Sequence, residues 1–193
     1  MQDFSLFFRI GWEHIISWDA LDHILFISAL AVIFQLDQWR QVVILVTAFT
    51  IGHLLTLWLT VTGYVEFGNK WVEFLIPVTI ILTALSNLWK VDDRLSQNMH
   101  YIMAMGFGLI HGLGYANAIR FGITEGQSLG WSLFSFNIGL EIGQILVVSI
   151  VLVLGALVVK TGIKRSWWIN TVSVIICLKA LLMAWERIPS THH

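Results

Sequence analysis

Six apolar stretches, set one after another with only short polar breaks, constrain this chain more than any other feature. They run from about Leu21 to Leu36, Val42 to Val61, Trp71 to Trp89, Met99 to Ile119, Trp131 to Val159 and Trp167 to Trp185. A helix needs roughly 17–25 predominantly apolar residues to cross a bilayer core. The first stretch is slightly short and borrows Trp18 to Ala20, while the fifth is long enough to predict a tilted or protruding helix. All six are continuously apolar rather than alternating. That suits helices, which satisfy their own backbone, and not the strands of a membrane barrel. The predicted architecture is all-α: a polytopic transmembrane helix bundle of about six spans (18–36, 42–61, 71–89, 99–119, 131–159 and 167–186), forming a single transmembrane domain over residues 1–193. Phe4 to Ile16 is too short and too polar to span, and is expected to be a short N-terminal interfacial helix or a re-entrant piece.

Composition agrees. Hydrophobic residues make up 57% of the chain and charged ones 12%, about half the share in a soluble domain. This excludes a disordered chain, and a net charge of −1 gives no footprint for nucleic acid. Trp18, Trp39, Trp71, Trp89, Trp131, Trp167, Trp168 and Trp185 fall near stretch ends, where an aromatic belt sits. The single cysteine, Cys177, is expected to be a small packed hydrophobe. The N-terminus lacks a basic run before an apolar one, so no cleaved signal peptide is expected. Arg40, Lys90, Arg94, Lys160, Lys164 and Arg165 outnumber Arg9, Lys70, Arg120 and Arg187 on the alternate loops, which puts the first set in the cytoplasm and both termini outside. The terminal His192 and His193 resemble the end of an affinity tag and are set apart from the site.

An ionisable side chain at bilayer depth costs several kcal/mol, roughly 2.5–3.5 on insertion scales, so it needs a partner, a cavity or a role. Here such residues fall in groups. Asp19, Asp22 and His23 share one helix face, with His14 just before them; Asp22 either turns inward beside His23 or orients its imidazole, and Asp19 reads more often as a helix cap. His53 lies mid-stretch between Thr50 and Thr56. By itself it reads more often as a hydrogen-bonded core histidine than as a ligand. His111 sits inside Gly108-x-x-x-Gly112, a spacing that lets helices approach closely, with Asn117 further on. Asn137, Glu141 and Gln144 form one stripe beside Gly139 and Gly143; this stripe is expected to face the bundle interior, as site or as interhelical hydrogen-bond glue. Glu73 lies two residues into its stretch and is either interfacial or part of the site. Lys179 snorkels or neutralises a carboxylate such as Glu141.

Imidazoles with carboxylates, and no cysteine pair, suit a divalent transition metal: Ni, Co or Zn, with Fe(II) also compatible. Bound metal would also offset buried carboxylates. The chain has neither a phosphate-binding glycine loop nor G-x-S-x-G, so nucleophilic serine chemistry has no support.

The runs HIISWDALDHILF, FTIGHLLTL, GLIHGLGYA and FNIGLEIGQ together resemble the HupE/UreJ family of small bacterial membrane proteins, over most of the chain from His14 to MAWER and closest to the branch with FN-x-G-x-E-x-G-Q. The resemblance implies a multi-pass protein of the bacterial inner membrane associated with nickel or cobalt uptake. His14, Asp22 and His23 approximate the family's H-x5-D-H motif with a longer gap, and Glu73 and His111 fall on polar positions implicated in the family. The carboxylate expected just after His111 is missing, and Glu141 of the next helix stands as its replacement.

Two stations are therefore expected in a divalent-metal permease: an entrance at His14, Asp22 and His23, and a deeper site at His53, His111 and Glu141, with Glu73, Asn137 and Gln144 in support. An intramembrane metal-dependent hydrolase is the enzyme alternative, with Asp22 or Glu141 activating a metal-bound water. A non-catalytic membrane subunit, in a homo-oligomer or with another partner, is the third reading. Membrane lipid and a divalent ion are the expected partners, and nucleic acid is not.

Overall fold

The computed structural model describes the backbone of residues 2–89, 93–122 and 128–189, and their side chains except at 2, 19, 93–98 and 117–122. Asp19, Lys90, Arg94, Asn117, Arg120, His192 and His193, named above, lie outside the described side chains. Among the described residues the chain forms seven α-helices and no strand: α1 (Gln2–Ile16), α2 (Leu21–Ala31), α3 (Trp39–Val61), α4 (Asn69–Leu88), α5 (Asp93–Gly122), α6 (Leu129–Lys160) and α7 (Arg165–Glu186). Short 3-10 turns at Trp18–Ala20 and Leu36–Gln38 introduce α2 and α3.

The all-helical membrane character is present, and four of the six expected spans are matched by helices apolar enough to cross a membrane. Among the described residues, four segments are long and apolar enough to cross a membrane: Leu36–Val61, Asn69–Leu88, Leu129–Lys160 and Arg165–Glu186. A fifth exists if α1 and α2, bent by 70° at the break between them, form one broken span. The expected first span is thus an angular pair rather than a rod. The expected fourth span, within α5, is less apolar, carrying His100, Tyr101, His111, Tyr115 and glycines; of these His100 and His111 are buried. Elsewhere the outward surface is aliphatic: Ile150, Val153, Leu154 and Leu157 on α6, and Ile175, Leu178 and Leu182 on α7, are all exposed. Such a continuous apolar face would be a large sticky patch in water and is ordinary against lipid.

Glycines set the two closest helix pairs. A Cβ at Gly108 would collide with the Phe49 carbonyl, one at Gly112 with the His53 carbonyl and one at Gly52 with the Met105 carbonyl, so α3 and α5 pack backbone to backbone. In the same way Gly11 seats on the Phe136 carbonyl and Gly139 on the Phe8 carbonyl, which lays α1 along α6. Phe7 and Ile15 are consequently buried, and Ser135 Oγ donates to the Phe4 carbonyl at 2.5 Å. The N-terminal helix is therefore a packed member of the bundle. Its amphipathic pattern, from which an interfacial helix or a re-entrant piece was expected, is an apolar stripe turned toward α6, and the 70° bend into α2 is the geometry of a broken span or a re-entrant piece. On the other side α4 packs against α7, and Asn87 Nδ2 donates to the Ala29 carbonyl at 2.7 Å, tying α2 to α4.

Candidate metal centre

The bend between α1 and α2 brings the last turn of one against the first turn of the other, and with them His14 and His23. Their ring centroids are 4.6 Å apart. His53, carried in by α3, lies 6.3 Å from both. One ligand nitrogen from each of His14, His23 and His53 falls within 4.8 Å of the other two. His111, held on α5 by its close approach to α3, borders this trio, its ring 4.9 Å from that of His23. His23, His53 and His111 are buried, and His14 is nearly so.

The hydrogen bonds assign the lone pairs. Asp22 Oδ1 accepts from the His23 backbone N–H at 2.9 Å and from His23 Nδ1 at 3.0 Å. A carboxylate only accepts, so the His23 proton is on Nδ1 and Nε2 keeps its lone pair. Thr79 Oγ1 gives its single hydrogen to the Ile76 carbonyl at 2.6 Å. It must then accept from His111 Nε2, 3.2 Å away, which leaves the lone pair on Nδ1. His23 Nε2 and His111 Nδ1 are both buried without a hydrogen-bond partner, and so are His14 Nε2 and both ring nitrogens of His53. Buried polar atoms are ordinarily satisfied, and each exception calls for an explanation.

These donors fit a divalent transition metal. Tetrahedral coordination at 2.0–2.1 Å places ligand nitrogens about 3.3 Å apart. The three histidines need only close from within 4.8 Å. The carboxylate behind His23 is the usual outer partner that fixes a ligand's tautomer and raises its basicity. The walls are aromatic: Phe49 lies against His23 and His111 and Phe26 against His111, while the Tyr115 ring, tilted, has its centroid 3.8 Å from that of His14 and Phe136 stacks on His53. Such walls exclude water from an ion's surroundings.

The structure does not bring every expected residue together. Glu141 accepts from Thr47 Oγ1 at 2.5 Å, six residues and about 9 Å along α3 from His53. Gln144 Oε1 accepts from Thr50 Oγ1 at 3.0 Å. These two serve the α3–α6 seam. Asn137 lies next to His53, donates Nδ2 to the Leu133 carbonyl and leaves Oδ1 without a partner. Glu73 is exposed on the first turns of α4, away from the histidines, and Lys179 is exposed on α7. In place of two stations there is one cluster, with His14 and His23 meeting His53 directly.

Three contributors carried no reading as site residues in sequence. Tyr115 stands four residues after His111, one turn on, a spacing that could have identified it. Thr79 looks like any span threonine. Arg187 arrives from the far end of the chain: its Nη1 lies 3.4 Å from Asp22 Oδ2.

Comparison with known proteins gives one match. A family model described as HupE / UreJ protein covers residues 1–187. No curated protein and no solved structure matches the chain.

Proposed function

Because the chain belongs to the HupE/UreJ family, whose members are membrane proteins associated with nickel and cobalt transport, we propose that it is a divalent-metal permease whose cargo passes through the His14–His23–His53 cluster. The observation that carries this reading is the convergence of partnerless imidazole nitrogens from α1, α2 and α3, with His111 of α5 beside them. The imidazoles replace the ion's water shell, and Asp22 supplies negative charge through His23. Transport also needs a site that lets the ion go. Lone pairs that must close inward before they share an ion favour moderate rather than extreme affinity. With the orientation expected from the loop charges, Asp22 and Arg187 lie toward the outside of a bacterial inner membrane, and the ion enters there.

The test is metal binding and flux by the purified protein. Elemental analysis in detergent, with His192 and His193 removed, should find a transition metal after loading. Proteoliposomes should accumulate Ni²⁺ or Co²⁺, and His23→Ala with His111→Ala should abolish that uptake. Equal uptake by wild type and the double variant would reject the reading. The three-imidazole donor set also favours one second reading, a resident catalytic zinc with an open position. Metal retained stoichiometrically through prolonged dialysis, without flux, would select it.

A further inference from the structure

Asp22 is shared. One oxygen takes both donors of His23, and the other faces Arg187 Nη1 at 3.4 Å. Arg187 belongs to the C-terminal end of α7, 165 residues away, where its backbone N–H closes on the Met183 and Ala184 carbonyls. A cation at a helix C-terminus is favourable in itself, but that does not explain why it turns inward to this carboxylate. Its side chain is 31% exposed, against 12% for Asp22, so the guanidinium sits between water and the site.

We propose that Arg187 sets the affinity of the histidine cluster, as a resident counter-cation that competes with His23 for Asp22. This rests on the metal-binding reading above. An ionised carboxylate hydrogen-bonded to the far nitrogen of a ligating imidazole raises that imidazole's basicity. A guanidinium on the same carboxylate draws the charge away, so His23 Nε2 is a weaker donor while Arg187 is in place. Its positive charge near an incoming dication acts in the same direction. Arg187 thereby keeps the ion releasable. Linkage makes the effect reciprocal: if Arg187 weakens metal binding, bound metal weakens the Arg187–Asp22 pair by the same factor and loosens the end of α7.

Two measurements on the full chain test this, with His192→Ala and His193→Ala in every version to remove their own affinity for metal. The first is the equilibrium Kd for Ni²⁺ in detergent. Arg187→Gln should tighten binding about tenfold and slow Ni²⁺ release, opposite in sign to Asp22→Asn, which should weaken it about 10–100-fold. Arg187→Lys, which keeps the charge, should stay close to wild type, and Arg187→Gln should tighten binding clearly less in the Asp22→Asn background, where only the direct repulsion of the ion remains. A purely structural salt bridge predicts weaker or unchanged binding in Arg187→Gln, and that result overturns the proposal. The second measurement leaves Arg187 intact, in case its replacement disturbs folding: a spin label at Glu186→Cys, with Cys177→Ala. Zn²⁺, which is diamagnetic and leaves the nitroxide line shape to report motion alone, should increase label mobility in this background and not with Asp22→Asn, and an unchanged spectrum on loading overturns the proposal. If the unmodified cluster binds no Ni²⁺ at all, the metal site itself is refuted, and this inference falls with it.

Discussion

Replacing His53 with leucine separates a metal site from an ordinary buried histidine, because the two assign opposite signs to the same substitution. His53 is wholly buried, and neither ring nitrogen has a hydrogen-bond partner. A neutral imidazole carries one donor and one acceptor. Asn137 Oδ1, also partnerless, lies close enough to relieve one of them after a small rotation. That still leaves one buried nitrogen unpaired, at a cost of about 1–3 kcal/mol. Leucine is close to histidine in volume and meets mostly the Phe49 and Phe136 rings, so misfit should cost less than about 1.5 kcal/mol. Metal-free His53→Leu should therefore be as stable as the wild type or more so, by up to about 2 kcal/mol.

Metal reverses the order. A ligand at 100 times its Kd adds about 2.7 kcal/mol to the state that binds it. Unfolding in detergent, first with chelator and then with saturating Ni²⁺, should show wild type gaining about that much and His53→Leu gaining almost nothing. The crossing of the two proteins is the diagnostic. A His53→Leu protein that is less stable than wild type under chelator, yet keeps its full response to Ni²⁺, would refute the reasoning, since His53 would then be a satisfied core residue.

Other outcomes follow from the same geometry. Glu141→Gln should leave Ni²⁺ affinity within about threefold, less than a typical 10–100-fold outer-shell effect, because Glu141 answers Thr47 rather than the cluster; a loss as large as that of His23→Ala would return it to the site. Gly112→Leu should reduce the yield of folded protein and abolish Ni²⁺ binding, since even a Cβ there meets the His53 carbonyl; normal thermal unfolding by this variant would show that the α3–α5 seam can open. Ni²⁺ affinity should fall as pH falls, because protons compete for the same imidazole lone pairs. Titration from pH 8 to pH 5 with a flat Kd would mean that the ion is not held by histidine.

Sequence reasoning succeeded where a signal was local and failed where it was relational. Small-x-x-x-small spacings at Gly108/Gly112 and Gly139/Gly143 marked faces of close approach, and those faces pack as such. Nothing in the spacing named their partners: α3 for the first, and for the second an N-terminal helix that looked interfacial. A stripe of apolar residues suits a membrane surface and a neighbouring helix equally well, and here Gly11 on the same helix was the clue to the second. The span reading is matched at four stretches, the second, third, fifth and sixth. Hydropathy rewards lipid-facing residues, and α5 gives part of its surface to glycines and a histidine turned inward, so the fourth stretch does not stand out as those four do.

The same distinction explains the site. Depth alone singled out His23, His53 and His111, because burial without a role is costly. It also singled out Glu141, which accepts a hydrogen bond from a threonine on α3, the very alternative that hydroxyl-rich span sequences offer. What separates the residues is whether a neighbour already uses their lone pairs, a property of the folded arrangement alone. Asp22 makes the point most sharply. In sequence it is one more acid next to a histidine; in the fold it stands between that histidine and an arginine from the opposite end of the chain. On the proposal above, the strength with which the cluster holds an ion depends on a contact between α2 and the far end of α7, one that exists only in the assembled bundle.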